Sequence, residues 1–356
     1  MPYSFTQDAC QTIAAAEYLR HFPRRGRTIR LPHLGYEVYG ISDCLCLGEK
    51  TQAVAPLHND SLPLAFSDAV PYLANEVRLP ETIGEALAHG PEFQDIDEAV
   101  PLYPPGVRNF WHFTFEALSK LLALESIGYS GPYIVPAAAL ADQSSDILQS
   151  LALFGVSQNR LLPSGPAYRI RRLMLPQRIN GFNLADNMKF TGFLRDKLLE
   201  AVCSEPGSRS VYIRRIGRRK IVNEDELLVV LRDYNFETVT PEELSVAEQW
   251  RAMTNVSCSV MAHGANTAVT LLQKPCSGFM EFFSNSYVNY TGMHAVRLLR
   301  LRYMPLVEEM ELSSYPGDRT ALEDFLARGI DADIHVSPLQ VRIFLESFFT
   351  QTEVQP

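Results

Sequence analysis

Short apolar runs alternate with amphipathic stretches between residues 209 and 303. The apolar runs predict four buried strands, at 211–216, 236–239, 256–262 and 278–283. The stretches after them predict helices over 223–231, 240–254, 265–272 and 287–303. Asn223 and Glu226 have capping-box spacing, and Thr240 precedes a proline at the first helical position. Such an alternation is typical of a parallel sheet covered by helices, so this region predicts a Rossmann-like lobe.

The same alternation is weaker in the first half of the chain. Helices are predicted over 109–127 and 142–154, and strands at 36–41, 52–56, 133–135 and 167–175. An Asn- and Gly-rich stretch at 176–189 predicts a connection between two lobes. We therefore predict an α/β protein in which two Rossmann-like lobes face each other across a cleft. The predicted segments are an N-terminal lobe over 1–190, a C-terminal lobe over 191–305, and a helical segment over 306–356 that packs back on the N-terminal lobe.

The composition limits the class of protein. The 356 residues are 46% hydrophobic and 21% charged, which suits about two folded domains and argues against a disordered chain. A net charge of −9 argues against a surface that binds nucleic acid as a whole. No run approaches the ~20 apolar residues of a membrane span, and the apolar stretch at 12–16 is too short for a signal peptide. Six scattered cysteines without a C-x-x-C pair are typical of reduced thiols, so we expect a cytoplasmic protein.

One segment departs from this acidic balance. Residues 209–220 contain six cations and no acid, and they run from a predicted strand into the loop before a predicted helix. Ligands of open α/β sheets bind at this edge, and guanidinium groups suit phosphate oxygens. The segment therefore predicts a phosphate site. The alternative is a solvated basic loop, offset by the acidic residues at 224–226.

Two other segments carry candidate functional groups. His263 and Gly264 lie between a predicted strand and helix, where free backbone N–H groups favour a phosphate. The alternative is an ordinary turn with a hydrogen-bonded core histidine. His112 and Glu116 are four residues apart on one face of the first helix, which makes His112 a candidate general base. The alternative there is a core helix with a hydrogen-bonded histidine.

Two D-x-D triplets are candidate sites for Mg²⁺ or Mn²⁺: Asp95 with Asp97, and Asp331 with Asp333. Neither follows a strongly hydrophobic strand, so we expect no bound metal and no cofactor. The sequence lacks the phosphate-loop, dinucleotide, nucleophile-elbow and H-E-x-x-H motifs. This argues against the common kinase, dehydrogenase, serine hydrolase and metalloprotease classes.

Five segments, in this order and spacing, resemble glycosyltransferase family 61. They are NFWHF at 109–113, YIRRIGRRKIVNEDELL at 212–228, FETVTPEELSVAEQ at 236–249, HGA at 263–265 and GFMEFF at 278–283. The resemblance implies a GT-B-like enzyme that inverts anomeric configuration without a metal. A UDP-sugar donor would lie against the C-terminal lobe, and the acceptor would come from the N-terminal lobe.

The resemblance also implies roles for individual residues. Those matched to the donor site are Arg215, Arg219, Asn223, Glu224, Glu248, Gln249, His263, Gly264, Ala265 and Glu281. Arg215 and Arg219 would neutralise the diphosphate, and Glu281 would suit the ribose hydroxyls. Asn109 and His112 match the N-terminal motif. We expect His112 to be the base, with Glu116 or Asp142 as substitutes.

We therefore expect an inverting hexosyl- or pentosyltransferase of bacterial-like surface-polysaccharide or glycoconjugate assembly. Its partners would be a nucleotide-sugar donor and a saccharide or lipid-linked glycan acceptor, in the cytoplasm or at the inner face of the membrane. After HGA the family has Gly and, three residues later, Asn, where this sequence has Asn266 and Val269. A nucleotide-sugar-binding protein without transfer activity therefore stays open. The D-x-D triplets leave a metal-using phosphotransferase or hydrolase open as well.

Overall fold

The computed structural model describes residues 11–13, 24, 26–34, 36–47, 54–56, 64–66, 92–102, 109–177, 188–289, 293–308 and 329–352. The chain divides into two compact units, Met1–Leu194 and Arg195–Pro356. This division falls inside the helix Met188–Ala201, which also contains the predicted boundary at 190/191. Most of the predicted connection over 176–189 lies outside the described residues.

A mixed sheet forms the N-terminal unit. Its strands are β1 (Gln11–Ile13), β2 (Gly26–Leu31), β3 (Tyr36–Leu47), β4 (Val54–Pro56), β5 (Leu64–Phe66), β6 (Phe93–Pro101), β7 (Tyr133–Pro136), β8 (Leu161–Ser164) and β9 (Ala167–Pro176). Their order is β1-β5-β4-β3-β9-β6-β7-β8, with β2 paired to β3. β9, β6, β7 and β8 pair in parallel, whereas β3 is antiparallel to both β2 and β9. The α/β class is confirmed, but this unit is not a purely parallel Rossmann-like sheet, since the short connection from β2 to β3 permits only antiparallel pairing.

The first helix of this unit contains a π-helical insertion. It runs as α1 over Phe110–His112, a π-helix over Phe113–Leu118, and α2 over Ser119–Ser126. The other helices are α3 (Ala137–Ala141), α4 (Asp146–Leu153), a 3₁₀ turn (Gln158–Arg160) and α5 (Met188–Ala201). The predicted helix over 142–154 begins only at α4, because the Ser145 side chain accepts from the Leu148 N–H and caps it.

A parallel sheet forms the C-terminal unit. Its strands are β10 (Arg209–Ile213), β11 (Phe236–Val239), β12 (Val256–Ala262), β13 (Gly278–Phe283) and β14 (Arg302–Val307). The order β11-β10-β12-β13-β14 is that of a doubly wound sheet. The four predicted strands are present, although the one predicted at 211–216 ends at Ile213. β14 replaces the end of the helix predicted over 287–303. The observed helix stops at Leu299 because Arg300 adopts a left-handed backbone with φ 52°.

The helices of this unit flank the sheet. They are α6 (Glu224–Asp233), α7 (Val246–Ala252), α8 (Met293–Leu299) and α9 (Pro338–Thr352), with 3₁₀ helices at Pro241–Glu243, Ala265–Leu272 and Gly329–Asp331. The predicted helix over 240–254 is wrong at its start. Ser245, rather than Thr240, caps α7, and Pro241–Glu243 is a separate 3₁₀ turn. No helix in the described part of the chain is both long enough and apolar enough to cross a membrane.

The C-terminal helix packs on the C-terminal sheet. Val341, Leu345 and Phe348 of α9 are buried in a hydrophobic cluster with side chains of β10, β12, β13 and α6. The described end of the predicted segment over 306–356 therefore belongs to the core of the C-terminal unit, and its packing on the N-terminal lobe stays a prediction. The apolar side chains of α9 cover one face of the parallel sheet next to α6.

Candidate functional site

The loop after β10 holds most of the predicted basic cluster. It leaves the sheet at Arg214 and reaches α6 through two residues with positive φ, Gly217 at 87° and Arg219 at 58°. A left-handed backbone costs a non-glycine residue about 1 kcal/mol, so surrounding contacts must hold Arg219 in place. The loop after β10 therefore has a defined backbone conformation that its contacts must maintain.

A second segment, the strap (residues 329–336), holds this loop. Ile334 forms a parallel bridge with Ile221, through bonds from the Ile334 N–H to the Lys220 carbonyl (2.9 Å) and from the Val222 N–H to the Ile334 carbonyl (3.0 Å). Asn223 donates from Nδ2 to the Val336 carbonyl at 2.8 Å and accepts from the Val336 N–H at 3.0 Å. The Asn223 side chain thus binds the strap and does not form the predicted helix cap. This engagement leaves its predicted donor contact without support.

Four of the six cations in 209–220 are paired with carboxylates. Arg209 pairs with Glu237, Arg214 with Glu224, Arg218 with Asp331 and Lys220 with Asp333. The Arg214 pair is bidentate, at 2.8 and 3.0 Å. The strap aspartates, which the sequence suggested as a metal site, therefore act as partners of the basic loop.

Arg215 and Arg219 remain without a carboxylate. In the described part of the chain neither forms an ion pair, and Nε of Arg219 is buried with no hydrogen-bond partner. Burial, together with the neighbouring Arg219 and Arg218, lowers the pKa of Arg215 to about 10, and burial lowers the pKa of Arg219. The Arg219 guanidinium lies 5.9 Å from the centre of the Tyr287 ring. Two half-buried cations next to each other, neither in contact with a carboxylate of the described residues, have unmet capacity to bind an anion.

The turn after β12 meets Arg215. The Arg215 side chain donates from Nε to the Arg218 carbonyl at 2.7 Å and from Nη1 to the His263 carbonyl at 3.2 Å. A Cβ on Gly264 would lie 1.7 Å from the same Nη1, so the guanidinium occupies space that only glycine leaves open. Ala265 begins the 3₁₀ helix, whose first backbone N–H groups lack partners within the helix. The structure thus brings together Arg215, Arg219 and the predicted H-G-A turn.

Arg215 and the H-G-A turn lie where the strand order of the parallel sheet reverses. β10 lies between β11 and β12, so the chain leaves β10 toward one edge of the sheet and leaves β12 toward the other. In open α/β sheets the carboxyl ends of such strands flank a crevice in which ligands bind. Arg215 follows β10, and His263 with Gly264 follows β12. The basic cluster therefore lies at the carboxyl ends of β10 and β12, where this topology is expected to bind a ligand.

His263 and Glu281 form a buried pair. Nδ1 of His263 lies 2.6 Å from Oε1 of Glu281, and the two side chains are 5% and 1% exposed. Oε2 of Glu281 accepts a hydrogen bond from the Tyr303 hydroxyl at 2.7 Å. Both carboxylate oxygens thus have partners inside the protein, so the expected contact of Glu281 with ribose hydroxyls has no support in the geometry and stays a prediction. The carboxylate instead orients the histidine.

Glu248 and Gln249 make local contacts. Glu248 accepts from the Ser245 N–H at 2.8 Å and from the Ser245 hydroxyl at 2.6 Å, completing a capping box at the start of α7. Gln249 donates to the Leu244 carbonyl at 3.2 Å. These bonds explain why the two residue types occur here without a ligand, so their predicted donor contacts have no support in the geometry.

The N-terminal unit holds the predicted catalytic pair. Asn109 accepts from the backbone N–H groups of Trp111 and His112, and it therefore caps α1. Nδ1 of His112 lies 3.1 Å from Oε1 of Glu116 within the π-helical turn. The His112 side chain is 40% exposed and Glu116 is 3% exposed. The imidazole can therefore meet a ligand while a buried carboxylate holds it, an arrangement suited to a general base. Asp142, the other substitute, is exposed and bonded to Ser144.

The remaining metal candidates are ion-paired. Asp95 pairs with Arg169 and Asp97 with Arg171 across the parallel strands β6 and β9. Among the described residues, no group of three or more His, Cys, Asp and Glu side chains is arranged to hold a metal ion.

The sequence missed two tyrosines and the role of the strap. Tyr287 and Tyr303 fall within the helix predicted over 287–303, a pattern that gave no sign of their contacts with Arg219 and Glu281. The strap was visible only as a D-x-D triplet, and its pairing partners lie more than a hundred residues earlier in the chain.

One comparison with known proteins found a similarity, and it covers part of the chain. A search of curated proteins finds no match. Residues 110–280, which include His112, the basic loop and the H-G-A turn, match the family model described as Glycosyltransferase 61. This match supports glycosyltransferase family 61 for the segment that carries the candidate site.

Proposed function

We propose that this protein is an inverting glycosyltransferase whose donor is a nucleotide-diphosphate sugar. One observation carries the proposal: among the described residues, Arg215 and Arg219 form no ion pair, and they lie where the strand order of a parallel sheet reverses, beside a glycine turn. A diphosphate supplies the negative charge that these side chains lack, and its oxygens match guanidinium geometry. The match to a glycosyltransferase family makes a sugar nucleotide the natural source of that diphosphate. The family resemblance favours a UDP-sugar.

The two arginines would act on the leaving group. An acceptor oxygen attacks the anomeric carbon, the bond from that carbon to the diphosphate oxygen breaks, and its electron pair stays on the diphosphate. Arg215, Arg219 and the N–H groups that begin the 3₁₀ helix would stabilise the charge that develops there. We propose that these groups suffice without a metal ion, because each of the nearby strap aspartates already has a cation as partner.

His112 would take the proton of the acceptor hydroxyl. Nδ1 is engaged with Glu116, so Nε2 of the exposed ring is the nitrogen available to the substrate. Glu116 would hold the ring and stabilise its charge after proton transfer. We propose that the N-terminal unit also binds the acceptor, a saccharide or a lipid-linked glycan. The reaction would take place in the cytoplasm or at the inner face of the membrane.

A panel of nucleotide-sugars tests the proposal. The full-length protein is incubated with UDP-, GDP-, CMP- and dTDP-sugars, with and without EDTA, while thermal stability and nucleotide release are measured. We expect one nucleotide class to raise the melting temperature and to be released slowly, with no effect of EDTA. Abolition of release by EDTA would contradict the metal-free mechanism.

The same panel separates transfer from binding alone. A nucleotide-sugar that stabilises the protein but yields no product with any matched acceptor would favour a binding protein without transfer activity. That result would be consistent with Asn266 and Val269 after the H-G-A turn. A panel in which no nucleotide stabilises the protein or is released would overturn the proposed function.

A further inference from the structure

We propose that Tyr303 and Glu281 are positioning residues that make His263 a directed anion donor in the crevice. This inference rests on the proposed function, which it deepens by assigning a third group to the diphosphate. The chain of contacts is Tyr303 hydroxyl to Glu281 Oε2 at 2.7 Å, and Glu281 Oε1 to His263 Nδ1 at 2.6 Å. None of the motifs in the sequence pointed to Tyr303.

The hydrogen-bond donors and acceptors of Tyr303, Glu281 and His263 determine which atoms carry protons. An ionised carboxylate only accepts hydrogen bonds, and the tyrosine hydroxyl can donate to it. Nδ1 of His263 must therefore carry the proton that it shares with Glu281. A carboxylate partner fixes the orientation of a ligand histidine in the same way in metal sites. Nε2 is the ring nitrogen that remains for a contact with a ligand.

The ring is also fixed sterically. It stacks on Phe283 with centroids 4.8 Å apart and meets Tyr287 at 5.6 Å. Its backbone N–H donates to the Phe282 carbonyl at 2.8 Å, while its carbonyl accepts from Arg215. These contacts favour the ring orientation in which Nδ1 faces Glu281.

Charge balance explains what the contacts from Tyr303 through Glu281 to His263 would do. To donate from Nε2 to a phosphate oxygen, His263 must carry both ring protons, and the ring is then a cation. A buried cation needs a partner, and Glu281 supplies the compensating charge at 1% exposure. Arg215 and Arg219 are cations and cannot do so, and the nearby Asp331 is already paired with Arg218. Glu242 influences the charge of Arg215, but only Glu281 contacts the imidazole. Glu281 thus allows a third positive group beside two arginines, and Tyr303 holds the carboxylate in place.

Two conservative variants test the chain in the full-length protein. Tyr303→Phe removes one hydroxyl, and Glu281→Gln removes the charge but keeps the shape. Tyr234→Phe is the matched control, since its ring stacks on Phe349 away from this site. Inorganic pyrophosphate, which has no base or sugar, is titrated by calorimetry. In parallel, ¹⁵N-histidine NMR follows the His263 ring, assigned with a His263→Gln variant.

We expect Glu281→Gln to weaken pyrophosphate binding about tenfold or more, and Tyr303→Phe about three- to fivefold, with no change in Tyr234→Phe. The His263 Nδ1–H signal should be displaced strongly downfield in the wild type and less so in Tyr303→Phe. If Glu281→Gln does not fold, Tyr303→Phe alone decides the result.

Two outcomes would overturn the inference. Wild-type affinity in Tyr303→Phe despite a changed ring signal would refute the positioning role, while the proposed function would stand if the wild type binds and transfers. An absent Nδ1–H signal in the wild type would refute the hydrogen-bonded chain itself. Failure of the wild type to bind pyrophosphate or any nucleotide would instead refute the proposed function.

Discussion

Nη1 of Arg215 donates a hydrogen bond of 3.2 Å to the carbonyl oxygen of His263. This bond joins the loop after β10 to the turn after β12 at the reversal point of the sheet. It exists because residue 264 is glycine: any side chain there would begin 1.7 Å from the donating nitrogen. The backbone of the turn after β12 thus fixes the position of Arg215, and the following predictions depend on this contact.

Gly264→Ala should weaken binding without unfolding the protein. The backbone at Gly264 is extended, with φ 163°, so alanine is not strained there. The new methyl group can displace only the end of the flexible Arg215 side chain. We expect nucleotide affinity to fall about fivefold to fiftyfold, as for loss of a charge-assisted hydrogen bond, with a nearly unchanged melting temperature.

A double-mutant cycle provides the control for Gly264→Ala. If the substitution acts by moving Arg215, its effect should largely disappear in an Arg215→Ala background. Calorimetry on the four proteins measures the coupling. Additive losses would show that Gly264→Ala acts on something other than Arg215.

Asp331→Asn should increase the affinity for a diphosphate. Asp331 pairs with Arg218 at 3.0 Å and lies close enough to Arg215 and Arg219 to influence their charges. The substitution leaves Arg218 without its partner and removes a negative charge near Arg215 and Arg219, so we expect about two- to fivefold tighter binding at low salt and a steeper salt dependence. The measurement is a nucleotide titration at several salt concentrations. Weaker binding would show that Asp331 serves mainly to hold the loop in shape.

His112→Ala should affect turnover and spare donor binding. Loss of a general base costs about 10²–10⁴-fold in rate, whereas the proposed donor site consists of residues of the other unit. Glu116→Gln should cost less, because the imidazole remains and only its buried partner loses charge. Steady-state kinetics with donor binding measured separately provide the readout. Normal turnover in His112→Ala would remove His112 from the mechanism.

Ser245→Ala should reduce stability and leave nucleotide affinity unchanged. The substitution removes the side chain that accepts from the Glu248 N–H at the start of α7, which costs about 0.5–2 kcal/mol of unfolding free energy. Glu248→Ala should behave similarly, because the carboxylate is the other half of the same capping box. Denaturation curves and UDP titrations of both variants test this. A large affinity loss in Glu248→Ala alone would restore the donor role that the sequence suggested.

Local patterns predicted the parallel strands well. The apolar runs at 256–262 and 278–283 correspond to β12 and β13 residue for residue, because a central parallel strand is buried on both faces and reads as continuous hydrophobicity. Helix starts were less predictable. Thr240 and Ser245 can both cap a helix through their side-chain oxygens, but only Ser245 does so in the structure, at the start of α7.

The charge pairing in the site was beyond local patterns. Arg218 and Arg219 are adjacent and alike in sequence, yet one is ion-paired with Asp331 and the other is buried with an unpartnered nitrogen. The difference arises from the strap, more than a hundred residues away, and from the left-handed backbone at Arg219. Sequence reasoning could find the basic loop but could not tell which cations were free.

This contrast between neighbours gives the most direct test. UDP, or the nucleotide that the panel selects, is titrated by calorimetry into the wild type, Arg219→Ala and Arg218→Ala. Loss of a charge-assisted contact worth about 1.5–3 kcal/mol predicts roughly ten- to hundredfold weaker binding for Arg219→Ala. Arg218 is exposed and already neutralised by Asp331, so Arg218→Ala should lose about threefold or less. Equal losses in the two variants, or a larger loss in Arg218→Ala, would contradict a diphosphate site built on the unpaired arginines.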